Sequence, residues 1–318
     1  MLTSMRRVLL ACLVSAVAFP ALATNVLAVE LDPSIPAAIA ADYDGNDLRV
    51  REDLGSTSAY TRHAITYRSG DLTITGVLNK PRGKGPFPVV VLAHGHIEPS
   101  VYVTGQGFNR EQDWLARHGY VALHVDYRNH AGSDNDPASE TSLRIGYAAD
   151  VINAGLAVRR TIIPWIDNTR VAVLGRSMGG GVAFQALVIR PEVFDAAITY
   201  ASTSSNVADN FNMWQRGDNA ASRAIISRYG TPEGNPAAWA RMSSRSYFSR
   251  VTEPVLMIHG TRDESCDIEW ARATRDALKA AGKDVRLVEY RGAGHYMYGP
   301  WQDSITQVDR FLRKHLGT

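Results

Sequence analysis

One stretch of this chain contains a serine flanked by glycines, between a predicted strand and a predicted helix. Residues 171–181 read VAVLGRSMGGG, a β-branched run followed by Gly175, Arg176, Ser177, Met178 and Gly179. This is the G-x-S-x-G pattern between a predicted strand and a predicted helix. The glycines permit a turn sharp enough to expose the serine Oγ, and the N–H groups that open the helix favour a developing negative charge. The pattern predicts a nucleophilic serine; a glycine-rich turn that only packs a helix against a sheet is the alternative.

A hydroxyl is a weak nucleophile until a base takes its proton, and that base must be oriented by an acceptor. Two later loops supply both groups. Asp263 follows a predicted strand at 254–259, and His295 follows another at 285–290. We expect Asp263 to accept a hydrogen bond from one ring nitrogen of His295, which leaves the other nitrogen for Ser177.

Other residues compete for these two roles. Glu264 and Asp267 lie close to Asp263 in the sequence, and either could be the acid. His315 also follows the serine in the chain, but it falls in the predicted last helix. Where a G-x-S-x-G serine lies between a strand and a helix, the acid and then the histidine typically follow the serine along the chain. This order favours Asp263 with His295.

A tetrahedral intermediate needs two hydrogen-bond donors for its oxygen. The sequence predicts the backbone N–H of Met178 as the first. The second is expected in the loop HGHI at 94–97, from the backbone N–H of His96, with Ile97 as the alternative. The His96 imidazole could contribute as well.

The elements that must position these residues alternate along the chain. Predicted strands lie at 64–68, 72–78, 88–93, 120–125, 170–174, 196–200, 254–259 and 285–290; predicted helices lie at 109–118, 141–160, 178–189, 268–281 and 301–316. This alternation indicates an α/β fold with a mostly parallel, doubly wound sheet and helices on both faces. Ligands bind at the carboxyl ends of such strands, which is where the candidate loops lie.

Two segments depart from the alternation. Residues 202–250 separate two strands by a length that usually marks a functional insertion, and we interpret them as a helical cap over the strand ends. Trp214 and Trp239 in this cap could line a substrate pocket or form the cap's own core. Residues 24–58 have little periodicity and are predicted to be an irregular N-terminal arm, before a catalytic domain at 59–318.

The first 23 residues have the pattern of a secretory signal peptide. Arg6 and Arg7 precede an apolar run at 8–19, and Ala21-Leu22-Ala23 supplies a small-x-small cleavage site. We expect cleavage after Ala23 and a secreted or periplasmic protein, without stable membrane association. An uncleaved N-terminal anchor is the alternative.

Charge and cysteine content exclude several classes of protein. The net charge is +2, and loss of the two signal arginines would balance the 32 acidic residues, so no basic surplus exists for nucleic acid. Only Cys266 would remain after cleavage, which excludes an internal disulfide. The predicted chemistry needs no metal and no organic cofactor. Nothing in the sequence indicates an oligomeric state.

Six stretches resemble known hydrolases in their order and spacing: VVVLAHGH, VDYRNHAGSD, VAVLGRSMGGGVAF, YGTPEGNPAAWARMS, PVLMIHGTRDE and EYRGAGHY. Together they resemble the α/β-hydrolase superfamily and, more narrowly, the catalytic domain of the prolyl oligopeptidase family. They also resemble dienelactone hydrolases and esterases. The resemblance implies Ser177, Asp263 and His295 as a catalytic triad that works through an acyl-enzyme.

The resemblance leaves the substrate open between esters and peptides. The arm at 24–58 is too short for the propeller that gates such peptidases, and no acidic pair that would bind a peptide amino terminus is evident. We therefore predict hydrolysis of carboxylic esters, with a peptidase acting on short or acylated peptides as the alternative. A non-catalytic binding module on a hydrolase scaffold is a remote third possibility.

Overall fold

The computed structural model describes residues 32–317, so the predicted signal peptide and its cleavage site lie outside the described residues. This part of the chain forms one nine-stranded sheet. Its strands are β1 (Asn46–Ser56), β2 (Tyr60–Ser69), β3 (Leu72–Pro81), β4 (Phe87–Ala93), β5 (Val121–Val125), β6 (Ile166–Arg176), β7 (Ala196–Tyr200), β8 (Val255–Gly260) and β9 (Val285–Tyr290).

The strand order is β1-β2-β3-β5-β4-β6-β7-β8-β9. The first three strands are antiparallel, with β2 and β3 joined by a tight turn at Gly70 and Asp71, and β3 runs antiparallel to β5. All other neighbouring pairs are parallel. The carboxyl ends of β4 to β9 therefore share one edge of the sheet, and all the candidate catalytic loops leave from that edge.

Helices cover both faces of the sheet. They are α1 (Ile35–Ala40), α2 (Asn109–Arg117), α3 (Ile145–Arg160), α4 (Met178–Ile189), α5 (Val207–Asn210), α6 (Ala220–Tyr229), α7 (Pro236–Met242), α8 (Ile268–Ala280) and α9 (Trp301–Leu316). Strand β4 shows how the layers form, because its side chains alternate between two cores. Val89 and Val91 belong to the core that includes residues of α3, α4 and α8, whereas Val90 and Leu92 belong to the core that includes residues of α2 and α9. None of the described helices is long and apolar enough to span a membrane.

The predicted irregular arm is wrong for its described part. Residues 35–40 form α1, which Ser34 caps with its side chain, and residues 46–56 form the edge strand β1. The periodicity that would reveal β1 is missing because most of its side chains are exposed. Helix α3 also begins later than predicted, at Ile145, because Leu143 and Arg144 adopt left-handed backbone angles.

The segment predicted as a cap follows β7 and is mainly helical. It contains α5 to α7, a π-helical turn at Phe211–Gln215 and a 3-10 segment at Ser244–Arg250. Its side chains form a small core of their own, with one residue from the loop before α3: Leu143, Val207, Phe211, Ile225, Trp239 and Met242. This core ties the cap to the start of α3.

Candidate active site

Ser177 lies at the turn between β6 and α4, with a φ of 55° and a ψ of −122°. Glycines on either side make this turn possible. A Cβ on Gly175 would lie 2.2 Å from the carbonyl oxygen of Gly179, and one on Gly179 would lie 1.9 Å from that of Ala93. The Ser177 N–H donates to the carbonyl of Tyr200 at 2.9 Å, which fixes the turn against β7.

The loops after β8 and β9 bring Asp263 and His295 together. The Nδ1 atom of His295 lies 2.9 Å from Oδ2 and 3.0 Å from Oδ1 of Asp263. The Asp263 side chain is fully buried and that of His295 nearly so. The two loops can approach because Gly260 has no side chain; a Cβ there would lie 2.2 Å from the carbonyl oxygen of Ala293. With Nδ1 held by the carboxylate, Nε2 is the ring nitrogen that remains for Ser177.

Asp263 accepts more hydrogen bonds than the one from His295. The backbone N–H groups of Ser265 and Cys266 donate to Oδ1 at 2.9 and 2.8 Å. The Nε2 of His259 lies 3.3 Å from Oδ2 and 2.8 Å from the carbonyl oxygen of Cys266, so it carries a proton. Burial alone would raise the pKa of Asp263, but the hydrogen bonds from His259, His295 and the Cys266 N–H hold that pKa well below its usual range.

The competing residues occupy other positions. Glu264 accepts a hydrogen bond from the backbone N–H of His295 at 3.3 Å, not from its ring. Asp267 caps the amino end of α8. His315 packs against Phe311 on α9. Among the carboxylates considered, Asp263 is therefore the one that the described structure places on the imidazole.

The residues predicted to bind the oxyanion lie beside the serine. Met178 opens α4, and His96, Ile97 and Met178 line the same cavity as Ser177 and His295. The two loops touch where a Cβ added to the glycine before His96 would lie 3.2 Å from the serine Cβ. Met178 and His96, the residues that carry the two predicted N–H donors, therefore both lie at the part of the cavity wall that Ser177 lines.

This cavity has a volume of about 540 Å³ and lies between the strand ends and the cap. The wall is mainly apolar but carries neutral hydroxyl and amide side chains, among them Gln185, Thr203, Ser204, Ser205, Asn210 and Ser244. None of the described lining residues is acidic. The two lining arginines have acidic partners outside the wall, since Arg144 pairs with Glu140 and Arg176 with Glu111.

The two tryptophans predicted to line a pocket have different positions. Trp214 lines the cavity and is 48% exposed. Trp239 does not: it is buried against Phe211 in the cap core, where its indole N–H donates to the carbonyl of Gly230 at 3.2 Å. Trp239 as a substrate-binding residue is therefore a wrong prediction, and its part is to hold the cap together.

Sequence reasoning missed two residues of this site, His259 and Arg144. His259 is the last residue of the strand predicted at 254–259. Arg144 lies inside the helix predicted at 141–160. Cys266 is free and fully buried, and burial, followed by the charge of Asp263, raises its pKa to about 12. Its thiol therefore stays protonated beside the candidate acid.

Comparison with known proteins fits this geometry. The model of the prolyl oligopeptidase family matches residues 106–318, which include Ser177, Asp263 and His295. The chain belongs to the prolyl oligopeptidase family. This membership confirms the resemblance seen in the sequence and places the chain among serine hydrolases.

Two curated proteins that this chain is similar to are longer than it. Uncharacterized peptidase YuxL of Bacillus subtilis (strain 168) is 29% identical over 267 residues, which cover 79% of this chain and 37% of that protein. The acylamino-acid-releasing enzyme of Rattus norvegicus is 26% identical over 262 residues, which cover 78% and 34%. The chain thus spans about a third of the length of these curated relatives.

Solved structures confirm the α/β-hydrolase fold. The acylaminoacyl peptidase of Pyrococcus horikoshii superposes with a TM-score of 0.65 at 21% identity, over 82% of this chain and 42% of that one. An acetyl xylan esterase from Paenibacillus sp. R4 gives 0.64 at 19% identity, over 89% and 92%. At these identities the likeness concerns the fold alone, and it includes peptidases and esterases of the same architecture.

Proposed function

We propose that this protein hydrolyses carboxylic esters through an acyl-enzyme, with Ser177 as nucleophile, His295 as general base and Asp263 as the residue that orients it. The observation that carries the proposal is the pair of contacts of 2.9 and 3.0 Å between His295 Nδ1 and the buried Asp263 carboxylate, in the cavity that Ser177 also lines. Family membership supports the same chemistry.

The mechanism follows from the positions of the groups. Ser177 Oγ attacks the ester carbonyl carbon while His295 Nε2 takes its proton. The oxygen of the tetrahedral intermediate accepts hydrogen bonds from the N–H groups of Met178 and His96. The intermediate then releases the alcohol, which receives the proton from His295. Water attacks the acyl-enzyme with His295 again as the base, and the carboxylic acid leaves.

The wall of the cavity favours an ester over a peptide with a free amino terminus. A buried ammonium group needs an anionic partner, and none of the described lining residues is acidic. The neutral hydroxyl and amide groups on an otherwise mainly apolar wall fit a substrate with neutral oxygen-bearing groups. An acylated peptide is the second candidate, because its blocked amino terminus also needs no acid and because acylamino-acid-releasing enzymes are among the relatives.

A paired assay on purified residues 24–318 tests the proposal. One arm uses p-nitrophenyl esters of increasing acyl length; the other uses aminoacyl and acylaminoacyl p-nitroanilides. We expect ester turnover, and we expect Ser177→Ala to lower kcat by several orders of magnitude with the fold intact. Strong acylaminoacyl anilide turnover would support the second candidate. Turnover that persists in Ser177→Ala would reject the mechanism, and a folded protein silent in both arms would favour a non-catalytic module.

We also propose that the chain is exported and cleaved after Ala23. The charged start, apolar run and small-x-small site of residues 1–23 support this proposal. Expression of the full chain in a bacterial host, followed by amino-terminal sequencing of the product from the periplasm or medium, should give a sequence that begins at Thr24. A membrane-associated product that retains residues 1–23 would contradict cleavage and favour the uncleaved anchor, whereas a product that stays in the cytoplasm would contradict export.

A further inference from the structure

Arg144 lies at the wall of the active-site cavity in an unusual backbone conformation. It precedes the first turn of α3 with a φ of 60°, and Leu143 before it has a φ of 52°. Two consecutive non-glycine residues in the left-handed region are costly and tend to occur where function requires them. The Leu143 side chain is anchored in the cap core, which helps to hold this turn in place.

The guanidinium of Arg144 has one side fixed and one side directed to the cavity. Glu140 accepts hydrogen bonds from Nε at 3.0 Å and from Nη2 at 2.8 Å, which sets the plane of the group. The remaining nitrogen, Nη1, lies 3.2 Å from Nδ1 of His96 and 3.7 Å from the sulfur of Met178. A single nitrogen thus contacts two residues that come from different loops, after β4 and after β6.

Those contacts indicate which ring nitrogen of His96 carries the proton. An arginine can only donate, so the Nδ1 of His96 accepts, and the proton of a neutral imidazole is then on Nε2. Desolvation by the surrounding loops, followed by the charge of Arg144, lowers the pKa of His96. The contact with Arg144 and the lowered pKa therefore both favour the neutral His96 ring with its proton on Nε2.

We propose that Arg144 is a positioning residue for the oxyanion hole: its Nη1 ties together His96 and Met178, whose backbone N–H groups stabilise the intermediate. This inference rests on the proposed function. Its physical reason is that two donors on separate loops stabilise a developing charge only while their spacing is fixed.

Arg144→Met keeps the length of the stem and removes the donors and the charge. We expect kcat for the best p-nitrophenyl ester to fall roughly 10- to 100-fold with KM little changed, because the lost stabilisation belongs to the transition state. An alkyl trifluoromethyl ketone, whose serine adduct carries an oxyanion, should lose affinity by a similar factor. The carboxylate product should bind as before.

Two variants separate this effect from a general loss of an ion pair. Arg117→Met removes another arginine that pairs with an acid four residues away, Asp113 at 2.7 Å, on α2 and outside the cavity wall. It should keep wild-type kcat and ketone affinity. Combination of Arg144→Met with His96→Ala should cost less than the two separate losses together, because Arg144 acts partly through that ring.

If Arg144→Met does not fold, Arg144→Lys and Glu140→Gln take its place, and each should give a smaller loss of kcat and of ketone affinity in the same direction. Wild-type kcat and ketone affinity in all the folded variants would overturn the inference while Ser177→Ala remains inactive. A raised KM with unchanged kcat would overturn it as well, since Arg144 would then bind substrate. Turnover in Ser177→Ala would instead reject the proposed function itself.

Discussion

At the scale of single residues, the candidate site depends on how many donors converge on one carboxylate. Asp263 is buried yet keeps a depressed pKa because His259, His295 and backbone N–H groups all donate to it. This arrangement fixes His295 with its proton on Nδ1 and keeps Asp263 ionised in the folded protein. The carboxylate thereby orients the base and stabilises the imidazolium that forms when Ser177 attacks.

Asp263→Asn tests that role directly. An amide offers only one acceptor oxygen, and its NH₂ group turned toward Nδ1 would favour the tautomer that cannot accept the serine proton. We expect kcat to fall by about 10⁴-fold with KM within a few-fold of the parent, measured on the best p-nitrophenyl ester. Asp267→Asn is the matched control, because that carboxylate caps α8 and should leave kcat unchanged. A similar loss in both variants would assign the effect to the fold of the loop.

At the scale of elements, the glycines of the serine turn set how closely β6, α4 and β4 can pack. The atom that a Gly179 side chain would meet is a backbone oxygen of β4, at 1.9 Å, and it cannot move without disturbing the pairing of β4 with β6. We expect Gly179→Ala to destabilise the protein by roughly 3 kcal/mol and to abolish turnover. Gly299→Ala is the control, since no atom lies within 4 Å of a Cβ there. Thermal unfolding and ester assays on both variants measure the difference, and a stable, active Gly179→Ala would contradict the packing argument.

The same scale shows what the sequence could predict. Strands buried on both faces, such as β4, and helices with one apolar face, such as α9, reveal themselves by their apolar pattern, and their predicted bounds differ from the structure by a residue or less. Strand β1 was missed because an exposed edge strand needs no such pattern. Ser177, Asp263 and His295 were placed together by motif and chain order. Arg144 was missed because its contacts with His96 and Met178 join segments that are far apart in sequence. His259 was missed because its contacts with Asp263 and Cys266, although close in sequence, depend on the turn that follows β8.

At the scale of the whole molecule, buried histidines link stability to pH. His94, the first residue of the loop that holds His96, and His124 on β5 are both buried, and they stack on each other with ring centroids 5.4 Å apart. Burial lowers the pKa of each to about 3; the neighbouring His124 adds to the effect on His94, and Arg62 to that on His124. Both rings are therefore neutral in the folded protein over most of the acid range, whereas in the unfolded chain they titrate near 6.5.

The sign of the resulting pH dependence follows from linkage. The unfolded state binds more protons than the folded state between the two pKa values, so the stability due to neutral burial is complete above pH 6.5 and is lost as the pH falls toward 3. Each histidine should lower the free energy of unfolding by about 1.4 kcal/mol per pH unit within that window. Asp263, whose pKa is depressed, adds to the loss only below its usual value near 4, so His94 and His124 dominate between pH 6 and 4.5. Urea unfolding at half-unit intervals should show this slope, and His124→Leu should reduce it by about half. An equal slope in the parent and in His124→Leu would show that unfolding does not protonate this ring.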